Sequence, residues 1–144
     1  MRHGEAEVKF SSDQSRCLTP QGQSDVIKMA EFFRNTGEPG IIVSSPYLRA
    51  NQSAVLVLEV LQLEIPMLIW DELMPSGQSS AVLQKVADLD CDNVMLVTHQ
   101  PFISHFINYL TGVETGMGTA SIVALHFEEL LEGCGDIEWI KHRH

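Results

Sequence analysis

The chain has 144 residues, 44% of them apolar and 19% charged, which suits a single globular domain over residues 1–144 with a sizeable core. Its formal charge of −10, from 9 basic and 19 acidic residues, argues against nucleic acid, because a polyphosphate backbone calls for a basic stripe. No apolar run approaches the roughly 20 residues of a membrane span, and no basic segment followed by an apolar one reads as a secretory leader, so the expected location is cytoplasmic. Cys17, Cys91 and Cys134 are odd in number, far apart and without CxxC spacing, as reduced thiols would be.

Strand and helix signals alternate along the chain. Thr19-Pro20 reads as an N-cap followed by proline at the first helical position, and Val26, Ala30 and Phe33 recur at helical spacing until Gly37. Ile41-Ile42-Val43-Ser44 is a short β-branched run of the kind found in buried parallel strands. Pro46 is expected to open a second helix carrying Val55, Leu58 and Leu61, and Ile65 to Trp70 to form another strand. Ser79 or Ser80 should cap a helix with Val82, Leu83, Val86 and Leu89. Val94 to Val97 is the clearest central strand, and Pro101 starts a helix stopped at Gly112. Ser121 to Phe127 and Asp136 to Lys141 read as closing antiparallel strands.

This alternation predicts an α/β fold of three layers, a mostly parallel open sheet with helices on both faces. Ligands in such sheets bind beyond the carboxyl ends of the strands. Three motifs fall there: Arg2-His3-Gly4-Glu5, Ser45-Pro46-Tyr47-Leu48-Arg49-Ala50 and Thr98-His99-Gln100-Pro101. They supply two guanidiniums, which match phosphate oxygens in pairs, and two imidazoles, one of which can attack phosphorus. Two helix N-termini would add N–H donors and favourable dipoles for an anion. Each residue also has a plainer reading. Arg49 alone suits a surface ion pair, His99 a strand-end histidine satisfied by backbone, and Glu5 a solvated carboxylate. His105, His126, His142 and His144 read as structural or solvated.

In this order the three motifs resemble the histidine phosphatase superfamily, specifically its small SixA-type phosphohistidine phosphatases. Leu18-Thr19-Pro20-Gln21-Gly22 and Glu72-Leu73-Met74-Pro75-Ser76-Gly77 are similar to further segments of that type. The resemblance implies a phosphoglycerate mutase-like fold. It also implies His3 as the phosphorylated nucleophile, a phosphate pocket made by Arg2, Arg49 and His99, and no metal or other cofactor. Larger members protonate the leaving oxygen with a carboxylate after the third strand, which points to Glu72, with Asp71 behind it. Members also place a short apolar strand before the Arg-His pair, where this chain has only Met1. The first strand is therefore expected to be truncated, its place lying between the strands around Val43 and Val97. An earlier true start, a strand from a partner chain or a poorly stable domain would each follow from that.

The interval from Trp70 to Val94 is too short for the long helical lid of the sugar-phosphate mutases. An open site suits a phosphorylated side chain on another protein, such as a histidine-containing phosphotransfer domain, in a signalling role. The alternatives are a non-catalytic phosphoprotein-binding module of the same fold and a small-molecule phosphomonoesterase.

Overall fold

The computed structural model describes residues 1–8 and 11–143. Its centre is a parallel sheet of β1 (Ile41–Ser44), β2 (Met67–Ile69) and β3 (Val94–Val97), in the order β2-β1-β3. Successive residues of a strand face opposite ways, and the sequence uses both faces. Ile42, Met95 and Val97 join Val26, Met29 and Ala30 of α1 (Pro20–Phe33) and Ala50, Ala54 and Val57 of α2 (Leu48–Leu61). Val43 joins Val82 of α3 (Ser79–Ala87) and Phe102, Phe106 and Leu110 of α4 (Phe102–Thr111). Helices thus cover both sides of the sheet, as the alternation implies. The hairpin of β4 (Ile122–His126) and β5 (Asp136–Lys141) is antiparallel, from Ile122 opposite Lys141 to His126 opposite Asp136. Among the described residues no helix is long and apolar enough to cross a membrane.

Local chemistry sets the boundaries. Thr19 caps α1 by accepting the Gly22 N–H at 2.9 Å, with Pro20 in the first turn. α2 begins at Leu48 rather than Pro46, because Tyr47 is extended (φ −65°, ψ 138°) and its N–H is bonded to Ser45 Oγ at 3.2 Å. β2 is only three residues long, and Pro66, with no N–H to give, contributes just its carbonyl to Ile42 at 3.1 Å. Gln78, not a serine, takes the N-cap position of α3 and makes no side-chain cap bond. Gly112 ends α4 at φ 75°, a left-handed turn that glycine takes without strain.

The expected position of the first segment needs correction. β1 pairs directly with β3, Ile41 opposite Val94 through Ser44 opposite Val97, which leaves no row between them. Met1 to His3 instead runs along the other side of β3. The Met1 amino nitrogen donates to the Leu96 carbonyl at 2.7 Å, Thr98 N–H to Met1 at 3.0 Å, and His3 N–H to Thr98 at 3.0 Å. Arg2 N–H donates to Ser121 at 3.0 Å on the far side. This short segment therefore bridges the parallel sheet and the chain entering β4.

Candidate functional site

His3 is held by its backbone before its side chain does anything. Its N–H is bonded to Thr98, and its carbonyl accepts from Ala120 at 2.9 Å. Gly4 N–H donates to Ser53 Oγ at 3.0 Å, and that hydroxyl donates to the Arg49 carbonyl at 2.7 Å, tying the loop to α2. The glycines of two motifs explain each other. A Cβ on Gly22 would lie 2.0 Å from the Glu5 carbonyl oxygen, and one on Gly4 would lie 2.7 Å from the Gly22 oxygen. Only bare backbone lets the first turns of α1 approach the loop that carries His3.

The His3 ring has one possible tautomer. Its Nδ1 lies 2.6 Å from the Gly4 carbonyl, an acceptor only, so Nδ1 carries the proton and Nε2 keeps a lone pair. Arg49 Nε donates to that Nε2 at 3.2 Å. His3, Arg49 and His99 are 6%, 4% and 1% exposed, so water screens them little. Burial is the main cause that lowers the pKa of His3 to about 4, helped by the charges of Arg49, Arg2 and Arg16 and opposed by the Gly4 carbonyl. His99 is lowered to about 3, by burial first and then by His3 and Arg49. Both imidazoles are neutral at pH 7.

Four of the five expected site residues converge. The rings of His3 and His99 are 5.0 Å apart, and Arg49 contacts His3 directly. Arg2 donates from NH1 to the Met117 carbonyl at 2.9 Å, and charge repulsion from Arg49 contributes to lowering its pKa, after burial. His99 Nε2 is 2.7 Å from Ser45 Oγ. Among the described residues, two buried side-chain polar atoms lack a hydrogen-bond partner: Arg2 Nε and His99 Nδ1. Native interiors seldom leave such groups unpaired, and both belong to this cluster.

Glu72 is engaged elsewhere. It sits in a 3-10 turn, Asp71–Leu73, where its carboxylate takes Lys85 Nζ at 3.0 Å. Its own backbone N–H and then Lys85 hold its pKa below the usual carboxylate value. Asp71 is exposed. Glu5 accepts from Thr19 Oγ1 at 3.0 Å and faces Arg143 at 3.9 Å, linking the loop to the cap of α1. His105, His126 and His142 are exposed, the last 3.0 Å from Ser121 Oγ through Nδ1, and His144 lies outside the described residues.

Four residues escaped the sequence reading. Ser45 orients His99, and Tyr47 stands with its ring centre 5.1 Å from the Arg49 guanidinium carbon and 5.0 Å from the His99 ring. Both lie inside a motif already singled out, so their place was available as a signal. Asp13 and Arg16 lie in a polar stretch with no periodicity, and nothing there marks them. Asp13 nonetheless accepts from Arg49 twice, at its carbonyl (2.8 Å) and at Oδ2 (3.3 Å), and pairs with Arg16 at 2.8 Å. Among the described residues no group of three or more His, Cys, Asp or Glu side chains could hold a metal ion.

The phosphohistidine phosphatase SixA of Escherichia coli is 30% identical over 96% of this chain and 89% of its own length. The SixA homolog of Haemophilus influenzae is 31% identical over 78% and 75%. A structure of the protein histidine phosphatase SixA complexed with tungstate superposes with a TM-score of 0.92 at 26% identity, covering 99% of this chain and 94% of that one. A phosphoserine phosphatase mutant from Entamoeba histolytica shares the fold, with a TM-score of 0.72 at 17% identity over 99% and 94%. Residues 1–75 match the histidine phosphatase superfamily (branch 1), and the chain belongs to that superfamily.

Proposed function

We propose that this phosphatase takes the phosphoryl group from phosphohistidine on a partner protein, through a phospho-His3 intermediate and without a metal ion. The observation that carries the reading is the pair of buried, unpartnered nitrogens, Arg2 Nε and His99 Nδ1, beside a histidine whose Nε2 lone pair is free of a proton. Ser45 Oγ accepts from Tyr47 N–H and has its own proton to give to His99 Nε2. With that hydroxyl as the donor, the proton of His99 lies on Nδ1, where it is an unused donor. Donors already in place before charge develops are the main source of stabilisation in such sites.

In the first step the Arg49 Nε–H leaves His3 Nε2 for a phosphoryl oxygen, the substrate P–N bond breaks as Nε2 bonds to phosphorus, and the departing imidazole, already protonated on its other nitrogen, leaves neutral. In the second, water attacks phosphorus, the P–Nε2 bond breaks, and phosphate leaves with His3 neutral again. Arg2, Arg49 and His99 hold the phosphoryl oxygens throughout. Glu72, the carboxylate to which the family resemblance points for proton donation, has no such part in this reading, because its pairing with Lys85 keeps it ionised near neutral pH. A leaving imidazole with its other nitrogen protonated departs without a strong acid, which suits phosphohistidine better than a phosphate ester. Between β2 and β3 only the 3-10 turn and the nine-residue α3 stand near the sheet edge, so a phosphorylated side chain on another protein has room to enter. The names of the SixA relatives support the same substrate class.

Intact mass after brief exposure to phosphoramidate or a phosphohistidine protein tests the intermediate. One added phosphoryl group is expected on the wild type and none on His3→Ala. Equal labelling of both, or turnover lost in EDTA and restored by a divalent ion, would overturn the mechanism.

A further inference from the structure

Three of the five N–H donors of Arg49 are already in use. Nε donates to His3, NH1 to the Asp13 carbonyl at 2.8 Å, and NH2 to Asp13 Oδ2 at 3.3 Å. The other Asp13 carboxylate oxygen takes Arg16 at 2.8 Å. A phosphoryl dianion at the outer edge of Arg49 competes with the Asp13 carboxylate for NH2, and the two anions repel. The two partners differ sharply in how firmly they are held. Arg49 is 4% exposed and packed against Tyr47, whereas the Asp13 side chain is 54% exposed on a three-residue 3-10 turn. Exposed ion pairs hold weakly, and a phosphoryl group brings more charge and three acceptor oxygens.

We propose that Asp13 is an internal stand-in for the substrate phosphate: it holds Arg49 and Arg16 in the resting site and yields both to the incoming anion. It is thus a specificity-determining residue that sets phosphate affinity rather than the rate of the chemical steps. Arg16, released by the same exchange, becomes a third guanidinium at the mouth, and its charge already reaches His3. The proposal rests on the phosphatase reading above.

Calorimetric titration of the full chain with orthophosphate and with tungstate tests it without turnover, alongside steady-state kinetics on p-nitrophenyl phosphate. Asp13→Asn, which keeps the backbone carbonyl and the turn, should bind both anions roughly two- to five-fold more tightly, the scale of one exposed ion pair. KM should fall by a similar factor while kcat stays within about two-fold. Unchanged or weaker anion binding in Asp13→Asn would overturn the proposal, as would a loss in kcat without a fall in KM. A wild-type chain that binds neither anion would instead refute the phosphatase reading itself.

Discussion

The two walls of the site are built on opposite principles. On the Arg49 side the two central groups are buried and tied to backbone: His3 to Thr98, Ala120 and Gly4, and the Arg49 guanidinium to the Asp13 carbonyl. On the Glu72 side a 3-10 turn and α3 meet through an ion pair whose side chains are 32% and 43% exposed. Burial makes the first wall sensitive to single atoms, because an unpaired polar group there loses its hydration without compensation. Water and salt buffer the second wall. The difference teaches where chemistry is held rigid and where a bulky partner can be admitted.

The sharpest way to break that contrast is Arg49→Ala, which removes one preorganised donor and the charge beside His3. It should lower kcat by about 10²–10³, roughly 2.7–4 kcal/mol of transition-state stabilisation. A kcat within a factor of a few of wild type would place the phosphate elsewhere.

Gly22→Ala probes the same wall from behind. The new methyl meets the Glu5 carbonyl at 2.0 Å, so the loop carrying His3 must shift. Overpacking of this kind typically costs about 1–3 kcal/mol, with a matching drop in melting temperature and in kcat. An unchanged melting curve would mean that the two motifs do not press on each other as described.

Acid separates the walls next. His3 falls from 6.5 to about 4 and His99 from 6.5 to about 3 on folding. A depressed pKa means that the unfolded chain takes protons first, so stability is full above pH 6.5 and declines as pH falls from there toward 4. The melting temperature should therefore drop over that window, and less steeply in His3→Gln. Because His3 stays neutral until about pH 4, kcat/KM measured on folded enzyme should not follow an ordinary histidine titration. A midpoint near 6.5 in kcat/KM would contradict the burial of His3.

The smallest effect belongs to the open wall. Glu72→Gln should change turnover of a phosphohistidine substrate by less than about five-fold and stability by less than about 1 kcal/mol, as exposed pairs do. A loss of a hundred-fold or more would make Glu72 the proton donor after all.

Much of this was legible in the chain itself. The boundaries of β1 and β3 follow from short apolar runs, and α1 from Thr19-Pro20 and its periodic face, because those signals are local. The four convergent residues could be named because each sits at or near the end of a strand, where an open α/β sheet places its ligands. α2 starts two residues beyond Pro46, because the Ser45 hydroxyl bonds the Tyr47 N–H and Tyr47 stays extended, a contact that proline's own preference does not reveal. Met1 to His3 runs on the side of β3 away from β1, against the expectation that it lies between them. Strand order depends on which rows of backbone groups find partners, and no local pattern records that.

By itself, then, the sequence determined which side chains could handle a phosphoryl group and that strand ends would carry them. Only the tertiary structure decided what state those groups are in. The lone pair on His3 Nε2 comes from the Gly4 carbonyl, and the neutrality of both imidazoles from burial. Arg49 reaches His3 across 46 positions of chain and meets Asp13 across 36. Tautomers, proton affinities and competing partners are set by neighbours within a few ångströms, and folding, not spacing along the chain, chooses those neighbours.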